Sequence, residues 1–424
     1  MIKRILLGVF VLSSVTLLAQ RNSASPYSVF GIGENFEAVT VEQASMGGIG
    51  VAMKDSKYLN FVNPAANADL RYATYGLGGS LTFLTLKEGN SSQSGNSTNL
   101  RYIALGFPIG KKAGFSVGLQ PFSSVGYSLV NNSNAQDVTV FRGSGGTNKI
   151  YASFGMYVYE GLSLGAEAAF IFGNTENTIL NVREGVARGS KNSEELNIRG
   201  GQFKLGAQYK TQLKNDLQLQ TGLAMTLQSD LTGTGTDKFY SVVFNSNGSE
   251  IEKDINSTTN INGNITIPLK TVFGVGIGKL DKWYVGVNQQ FQKALSTNNS
   301  LITDGTSFRY DDSRKFSFGG YYIPKKNSIS SYWDRITYRA GARFENVGLL
   351  VNTGSSNNFT AVKDFGINVG LGLPLPGQAS NLNIGFEYGQ RGTTNNNLIQ
   401  ENYFNVRLSL SLNSRNWFVK RQID

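Results

Sequence analysis

The chain has 424 residues, of which 50 are glycine, 40% are hydrophobic and only 16% are charged, a balance that is too apolar and aromatic for disorder. Its mean hydropathy of −0.20 argues against a bundle of membrane-spanning helices, but not against strands that are apolar on one face only. Cys and His are both absent, which excludes a disulfide framework, thiolate or imidazole metal ligands, a lipidated cysteine anchor and the usual catalytic base.

In chain order, Lys3 and Arg4 precede an apolar run from Ile5 to Leu18 that ends in Ala19-Gln20. That order predicts a secretory signal peptide over residues 1–20, the run being shorter than the ~20 residues of a spanning helix. A segment of about fifty residues, 21–71, then precedes the first of about fourteen alternating stretches. These lie near Tyr72–Leu86, Asn99–Ile109, Ala113–Leu129, Asn148–Tyr159, Leu162–Ile179, Leu196–Thr211 and Leu217–Leu231. They continue near Asn262–Gly278, Lys282–Gln292, Ser307–Ile323, Arg335–Glu345, Lys363–Leu373, Asn381–Gln390 and Asn402–Leu412. In the last stretch Phe404, Val406, Leu408, Leu410 and Leu412 share one face, and Asn405, Arg407, Ser409 and Ser411 the other. The expected fold is therefore all-β, a transmembrane antiparallel barrel of about 14 strands over residues 72–412, followed by a periplasmic tail over 413–424.

The connections set the orientation. Gly110-Lys111-Lys112, Glu160-Gly161, Leu213-Lys214-Asn215-Asp216 and Lys279-Leu280-Asp281 are tight turns, whereas 131–147, 181–195 and 232–261 are long loops. Short turns belong to the periplasm and long loops to the exterior, so the outer membrane is the expected location and both termini are expected in the periplasm. The turn from Pro324 to Asp334 is longer than its peers and carries Lys325, Lys326, Tyr332 and Trp333. Residue type assigns the faces: Ile336, Tyr338, Ala340, Ala342 and Phe344 to lipid, and Thr337, Arg339, Gly341, Arg343 and Glu345 to the lumen. The same split places Glu167, Lys204, Lys270, Lys315, Glu387 and Arg407 inside, because a charge on the lipid face costs about 2–4 kcal/mol at the midplane. Glu167 is expected beside Lys204 and Glu387 beside Arg407. Inward glycines such as Gly366, Gly370 and Gly372 leave lumen volume for water or a plug.

The segment before the first strand contains Met46-Gly47-Gly48-Ile49-Gly50-Val51-Ala52 and then Asn63-Pro64-Ala65. This combination resembles the FadL/OmpP1/TodX family of outer-membrane transport proteins, in the form common among Bacteroidota, with a weaker likeness at Asn413-Ser414-Arg415-Asn416-Trp417-Phe418. The resemblance implies that residues 21–71 fold as a hatch inside a fourteen-stranded barrel, with Gly47, Gly48, Gly50, Asn63, Pro64 and Ala65 in its motif. Asp55 is the one acid expected near that motif, so no ion-gated mechanism is expected. In the third strand, Gln120-Pro121-Phe122-Ser123-Ser124-Val125-Gly126-Tyr127 breaks the alternation. Proline removes a ladder donor there. The resemblance makes Pro121, Phe122 and Gly126 an inward kink that opens the wall; an ordinary bulge is the alternative.

Two functions fit this pattern. One is passive transport of hydrophobic, fatty-acid-like small molecules, with membrane lipid and lipopolysaccharide as surroundings. The other is a structural or accessory subunit of an outer-membrane protein assembly or secretion machine, in complex with other outer-membrane proteins or lipoproteins. Loops rich in Asn, Ser, Thr and Gly, with scattered Phe141, Phe239, Tyr240, Phe244 and Phe359, weigh against an apolar collecting funnel. No cofactor or metal is expected, and no enzyme: Ser and Thr lack a His to activate them, and Asp311-Asp312 and Glu194-Glu195 near loops fit solvated charge. Nucleic acid is not an expected partner, since the net charge of +10 forms no basic cluster interleaved with aromatics.

Overall fold

The computed structural model describes residues 23–134, 136–298, 307–352, 358–376 and 380–414. The expected signal peptide, 1–20, and the expected tail beyond Ser414 lie outside them. Fourteen antiparallel strands pair in sequence order and the last closes on the first. They are β1 Ala73–Glu88, β2 Ser91–Ile109, β3 Ala113–Ser124 continuing as Tyr127–Asn134, β4 Asp137–Tyr159, β5 Leu162–Arg183, β6 Gly189–Gln212 and β7 Leu217–Thr226 continuing as Ser229–Phe244. Then follow β8 Glu250–Ile267 continuing as Lys270–Lys279, β9 Trp283–Gln292, β10 Phe308–Tyr310 with Ser313–Tyr322, β11 Thr337–Val351, β12 Thr360–Pro374, β13 Asn381–Arg391 and β14 Gln400–Ser414.

Alternation explains the wall. Along β14, Phe404, Leu408 and Leu412 are exposed outward while Tyr403, Asn405, Arg407, Ser409 and Ser411 are buried inward. The outer band satisfies lipid, and the ladder satisfies the backbone, which no open sheet could do in hydrocarbon.

Several expectations need correction. The long connections are mostly strand: β4 and β5 pair from Asp137↔Arg183 down to Tyr159↔Leu162, and β7 and β8 pair up to Phe244↔Glu250. Asn- and Thr-rich chain needs no apolar face to pair once it stands clear of lipid, because the neighbouring strand satisfies its amides. Glu194 and Glu195 accordingly lie on β6, where adjacent side chains point to opposite faces, so they form no acid pair. Ile336 is fully buried rather than lipid-facing, since it caps a 3-10 turn, Trp333–Arg335, just before β11 begins.

Inside the ring lies the segment 23–71. It contains a two-residue hatch strand Glu34–Asn35, a one-turn helix α1 Val41–Ala44 and a 3-10 turn Pro64–Asp69. Thr40 and Gln43 close both halves of a capping box on α1, which fixes the start of that turn without any apolar partner.

Candidate functional site

The lower part of the hatch sits on glycine. A Cβ added at Gly155, Gly165, Gly206, Gly222 or Gly341 would collide with hatch atoms of Pro64, Ala65, Asn63, Val51 or Met46. Inward glycines, legible in the sequence as missing wall volume, are thus the seat on which the hatch backbone rests. Asn63 fastens it. Its side chain is fully buried, its amide nitrogen donates to Val51 O (2.8 Å), Ala207 O (3.1 Å) and Leu223 O (3.2 Å), and its oxygen accepts from the Ala65 amide at 3.0 Å. One side chain therefore ties two hatch strands of chain to β6 and β7 while Pro64 starts the 3-10 turn that follows. Ala65 is fully buried. Gly47 and Gly48 adopt positive φ of 73° and 83°, which turn the chain back after α1, and Gly50 abuts the Gln43 amide.

Charge is also built into this half. Lys54 donates to Ser163 Oγ at 2.9 Å and lies 3.4 Å from Asp69, which Lys210 approaches at 3.8 Å. Burial pushes Lys54 down to about 8 against the opposing pull of Asp69. Asp55 is therefore not the sole acid of the motif region, because Asp69 and Glu42 share it. Glu42 accepts from Asn383 Nδ2 at 2.7 Å through one oxygen, while the other is buried without a hydrogen-bond partner; burial raises its carboxyl above the usual range.

The upper part, residues 23–37, is held otherwise. Arg391 donates to Glu34 at 2.8 Å and Lys315 to Glu37. Burial alone would raise both carboxyls, yet Arg391 and Lys315 outweigh it and hold them below the usual range. Ile32 packs into an apolar cluster with Ile171, Leu196, Ile198, Leu231 and Ile261, so that side of the lumen is shut by side chains.

On the wall itself, Glu167 lies 3.2 Å from Lys149 and 3.3 Å from Lys204, and Lys204 also donates to Phe61 O at 2.9 Å. Glu387 is bonded by Arg407 and, at 3.0 Å, by Arg343, which also reaches Glu345 (3.2 Å) and Asp364 (3.3 Å). Arg339 donates to Asn383 at 3.1 Å and faces the Tyr58 ring. Glu167 thus meets Lys204, and Glu387 meets Arg343 and Arg407, whereas Arg339 meets the Asn383 amide and the Tyr58 ring of the hatch. Sequence reasoning missed Glu34, Glu37, Glu42, Lys54 and Asp69. Their signal was available, since acids in a segment placed inside a barrel must find the wall's cations.

The third strand departs from its neighbour where the sequence breaks pattern. β2 and β3 pair from Ile109↔Ala113 only as far as Ile103↔Leu119. Above that, among the described residues, β2 keeps β1 alone and β3 keeps β4 alone, with a register shift between Pro121 and Ser123 that leaves Phe122 as the bulged residue. The hatch fills the vacated edge: Glu34 pairs with Ser124, Asn35 with Ser123, and the Phe36 amide donates to Phe122 O at 2.9 Å. Gly126 donates to Ser28 Oγ at 3.1 Å, and its missing Cβ makes room for the Ser23 backbone. Phe122 turns its ring onto the Ile32 cluster.

Two cavities among the described residues bear on the site. One, of about 310 Å³, lies between residues 23–48 and the wall and is lined by Arg101, Lys270, Arg343, Asp364 and Glu387 together with apolar side chains such as Phe36 and Leu84. The second, of about 640 Å³, lies at the short-turn end beneath α1.

A fourteen-stranded antiparallel barrel with an apolar outer band and a hatch in its lumen has the fold of the FadL-like barrels. Solved structures agree: a Pseudomonas aeruginosa FadL homologue superposes with a TM-score of 0.58 at 12% identity over 89% of this chain and 98% of that one. The Pseudomonas putida toluene transporter TodX gives 0.57 at 13% over 90% and 99%, and the CymD monoaromatic hydrocarbon channel gives 0.56 at 14% over 89% and 97%. No curated protein matches by sequence. A family model described as BamG matches residues 1–424, and the chain belongs to the BamG family. The resemblance to FadL, OmpP1 and TodX thus holds for the fold, while the family carries a different name.

Proposed function

We propose that this barrel is a component of an outer-membrane β-barrel assembly machinery, the role that the Bam prefix of its family denotes, and that it serves there as a filled scaffold rather than as an open channel. One observation carries the reading: a hatch sits inside the barrel, bonded to its wall through part-buried ion pairs, and two cavities beside it carry charged as well as apolar side chains in their lining. A path for hydrocarbons needs a continuous apolar lining, and desolvating Arg343, Glu387 or Lys270 against such a ligand would be costly. The short-turn end lies in the periplasm in this reading, and residues 1–20 are removed on export.

Purification of a tagged full-length protein in mild detergent tests it. The expected result is stoichiometric recovery of a central assembly barrel together with this chain, and loss of outer-membrane barrels on depletion. A protein recovered alone, whose depletion leaves barrel assembly intact, would end this reading.

A second reading is supported by the wall gap above Leu119: passive import of hydrophobic small molecules released sideways into the membrane, TodX being a toluene transporter and CymD a monoaromatic hydrocarbon channel of the same fold. Uptake of toluene by cells with and without the protein separates it from the first.

A further inference from the structure

The cavity of about 640 Å³ at the short-turn end is a vestibule whose ceiling is the hatch itself, through Glu42, Met46 and Met53. Seven cations line it against four carboxylates. Lys54 and Lys210 share Asp69, and Lys326 pairs with Asp281. That leaves Lys57, Arg71, Arg335 and Arg339 without a carboxylate within ion-pair distance among the described residues. Arg71 is turned onto backbone carbonyls of Ala68 and Leu70, Arg335 lies over the Tyr332 ring and Arg339 over Tyr58. Burial lowers the Lys57 ammonium and its neighbour Lys326 lowers it further, so the uncompensated charges repel one another. The two remaining acids do little to offset them, since burial raises both Glu42 and Asp55.

Beside this mouth stands the long turn from Pro324 to Asp334. It is an ordered element: the Lys325 amide donates to Asp334 O at 2.8 Å, Ser328 Oγ donates to Asp334 Oδ2 at 3.2 Å, and Tyr332 OH donates to Pro374 O at 3.2 Å. The pair Lys326–Asp281 ties it to the neighbouring tight turn. The two turns hold Ile329 fully exposed and Leu280 and Trp333 about two-thirds exposed. An uncompensated basic cavity with a rigid apolar rim has the two parts of a peptide-docking site, charge for register and an apolar anchor for residence. The cations face into the barrel mouth beneath the hatch and not onto the lipid-facing wall, which favours a peptide over a lipid headgroup.

We propose that the short-turn mouth receives an extended acidic segment of a periplasmic protein, its carboxylates meeting Lys57, Arg71 and Arg335 and an apolar side chain resting on Ile329 and Trp333. The proposal rests on the orientation given above but not on membership of an assembly machine, so its failure would leave the co-purification result standing.

The test uses the full-length barrel in neutral detergent and three fluorescein-labelled ten-residue peptides that carry one Leu and alternate Ser with Glu, Gln or Lys. Anisotropy should show binding of the Glu peptide alone, weakening about tenfold between 50 and 200 mM salt as expected for contacts between exposed charges. The double variant Lys57→Glu, Arg335→Glu should weaken it at least tenfold, and Ile329→Asp about threefold, while Lys238→Glu at the opposite end leaves it unchanged. Heat-modifiable gel mobility confirms that each variant is a closed barrel. Equal binding of the Gln peptide, indifference to the double reversal, or complete displacement by phosphatidylglycerol micelles would overturn the proposal.

Discussion

Residues 40–70 of the hatch meet the wall chiefly through backbone on glycine, with Glu42, Lys54 and Asp69 adding charged contacts, whereas residues 23–37 meet it chiefly through charged side chains and a borrowed strand edge. The lower half has Asn63 and Pro64 set against Gly155, Gly165 and Gly206, contacts that neither salt nor moderate pH can alter. The upper half depends on Arg391–Glu34, Lys315–Glu37 and the short ladder to Ser123 and Ser124. A single plug is therefore held mainly by backbone contact at one end and by ion pairs and a two-residue ladder at the other, and the second end is the one lying across the gap between β2 and β3.

The strongest way to break that contrast is to spoil the seat. In Gly165→Leu the new Cβ would overlap Pro64 and Ala65, both backbone atoms that cannot step aside. The expected cost is about 1–3 kcal/mol of overpacking, borne by the hatch because the wall is held by its ladder. Planar-bilayer conductance should rise while heat resistance of the barrel persists; unchanged conductance would mean that the hatch is not seated through these glycines. Asn63→Ala comes next, since it leaves the Val51, Ala207 and Leu223 carbonyls without this donor. A loss of about 1–3 kcal/mol is expected, seen as faster amide exchange confined to residues 50–70.

Much of this was legible in the sequence, and for physical reasons. Period-two alternation is imposed by lipid on one side and water on the other, so strands such as Asn402–Leu412 announced both their extent and their faces. Where lipid stops, the strict alternation weakens: the upper reaches of β4 to β8 read as loops, although these strands go on pairing with one another there. Glycine showed that the lumen has room, but not what fills it, because Gly206 and Asn63 become neighbours only through the closed ring. The partners Glu34 and Glu37 were hidden for the same reason. Pro121 did mark where β3 leaves β2, but the strand that replaces β2 there comes from the hatch, almost ninety residues earlier, and no local signal could name it.

Acidification sharpens the comparison. Glu34 and Glu37 have carboxyls held below their unfolded values, so their contribution is present above the ordinary carboxylate pKa near 4.3 and is lost as pH falls through the depressed values. Glu42 and Asp55 run the other way: raised by burial, they take up protons in the folded state first, and the folded hatch gains stability as pH falls toward the ordinary value. Amide exchange corrected for intrinsic rates should therefore show residues 28–37 loosening below about pH 4 while α1 and residues 50–60 hold or tighten. Uniform loosening of both halves would show that the two sets of carboxylates are not independently fastened.

The smallest effect is expected at Pro121, and its smallness is informative. Val restores a backbone donor and favours strand, so if proline alone held β3 away from β2, Pro121→Val would extend the ladder upward from Ile103↔Leu119. The structure gives the kink a second cause. Phe36 donates to Phe122, Glu34 and Asn35 pair with Ser124 and Ser123, and Gly126 donates to Ser28, so the displaced segment is already bonded from the lumen side. Val by itself should then shift barrel stability by no more than about 0.5 kcal/mol and leave exchange at Leu100 to Tyr102 fast. Adding Phe36→Pro, which deletes the donor to Phe122, should make the two changes non-additive and slow exchange at Leu100 to Tyr102 as the ladder zips. If Pro121→Val alone protects those amides, the hatch strand follows the kink rather than holding it, and the upper half of the plug is a passenger on the wall.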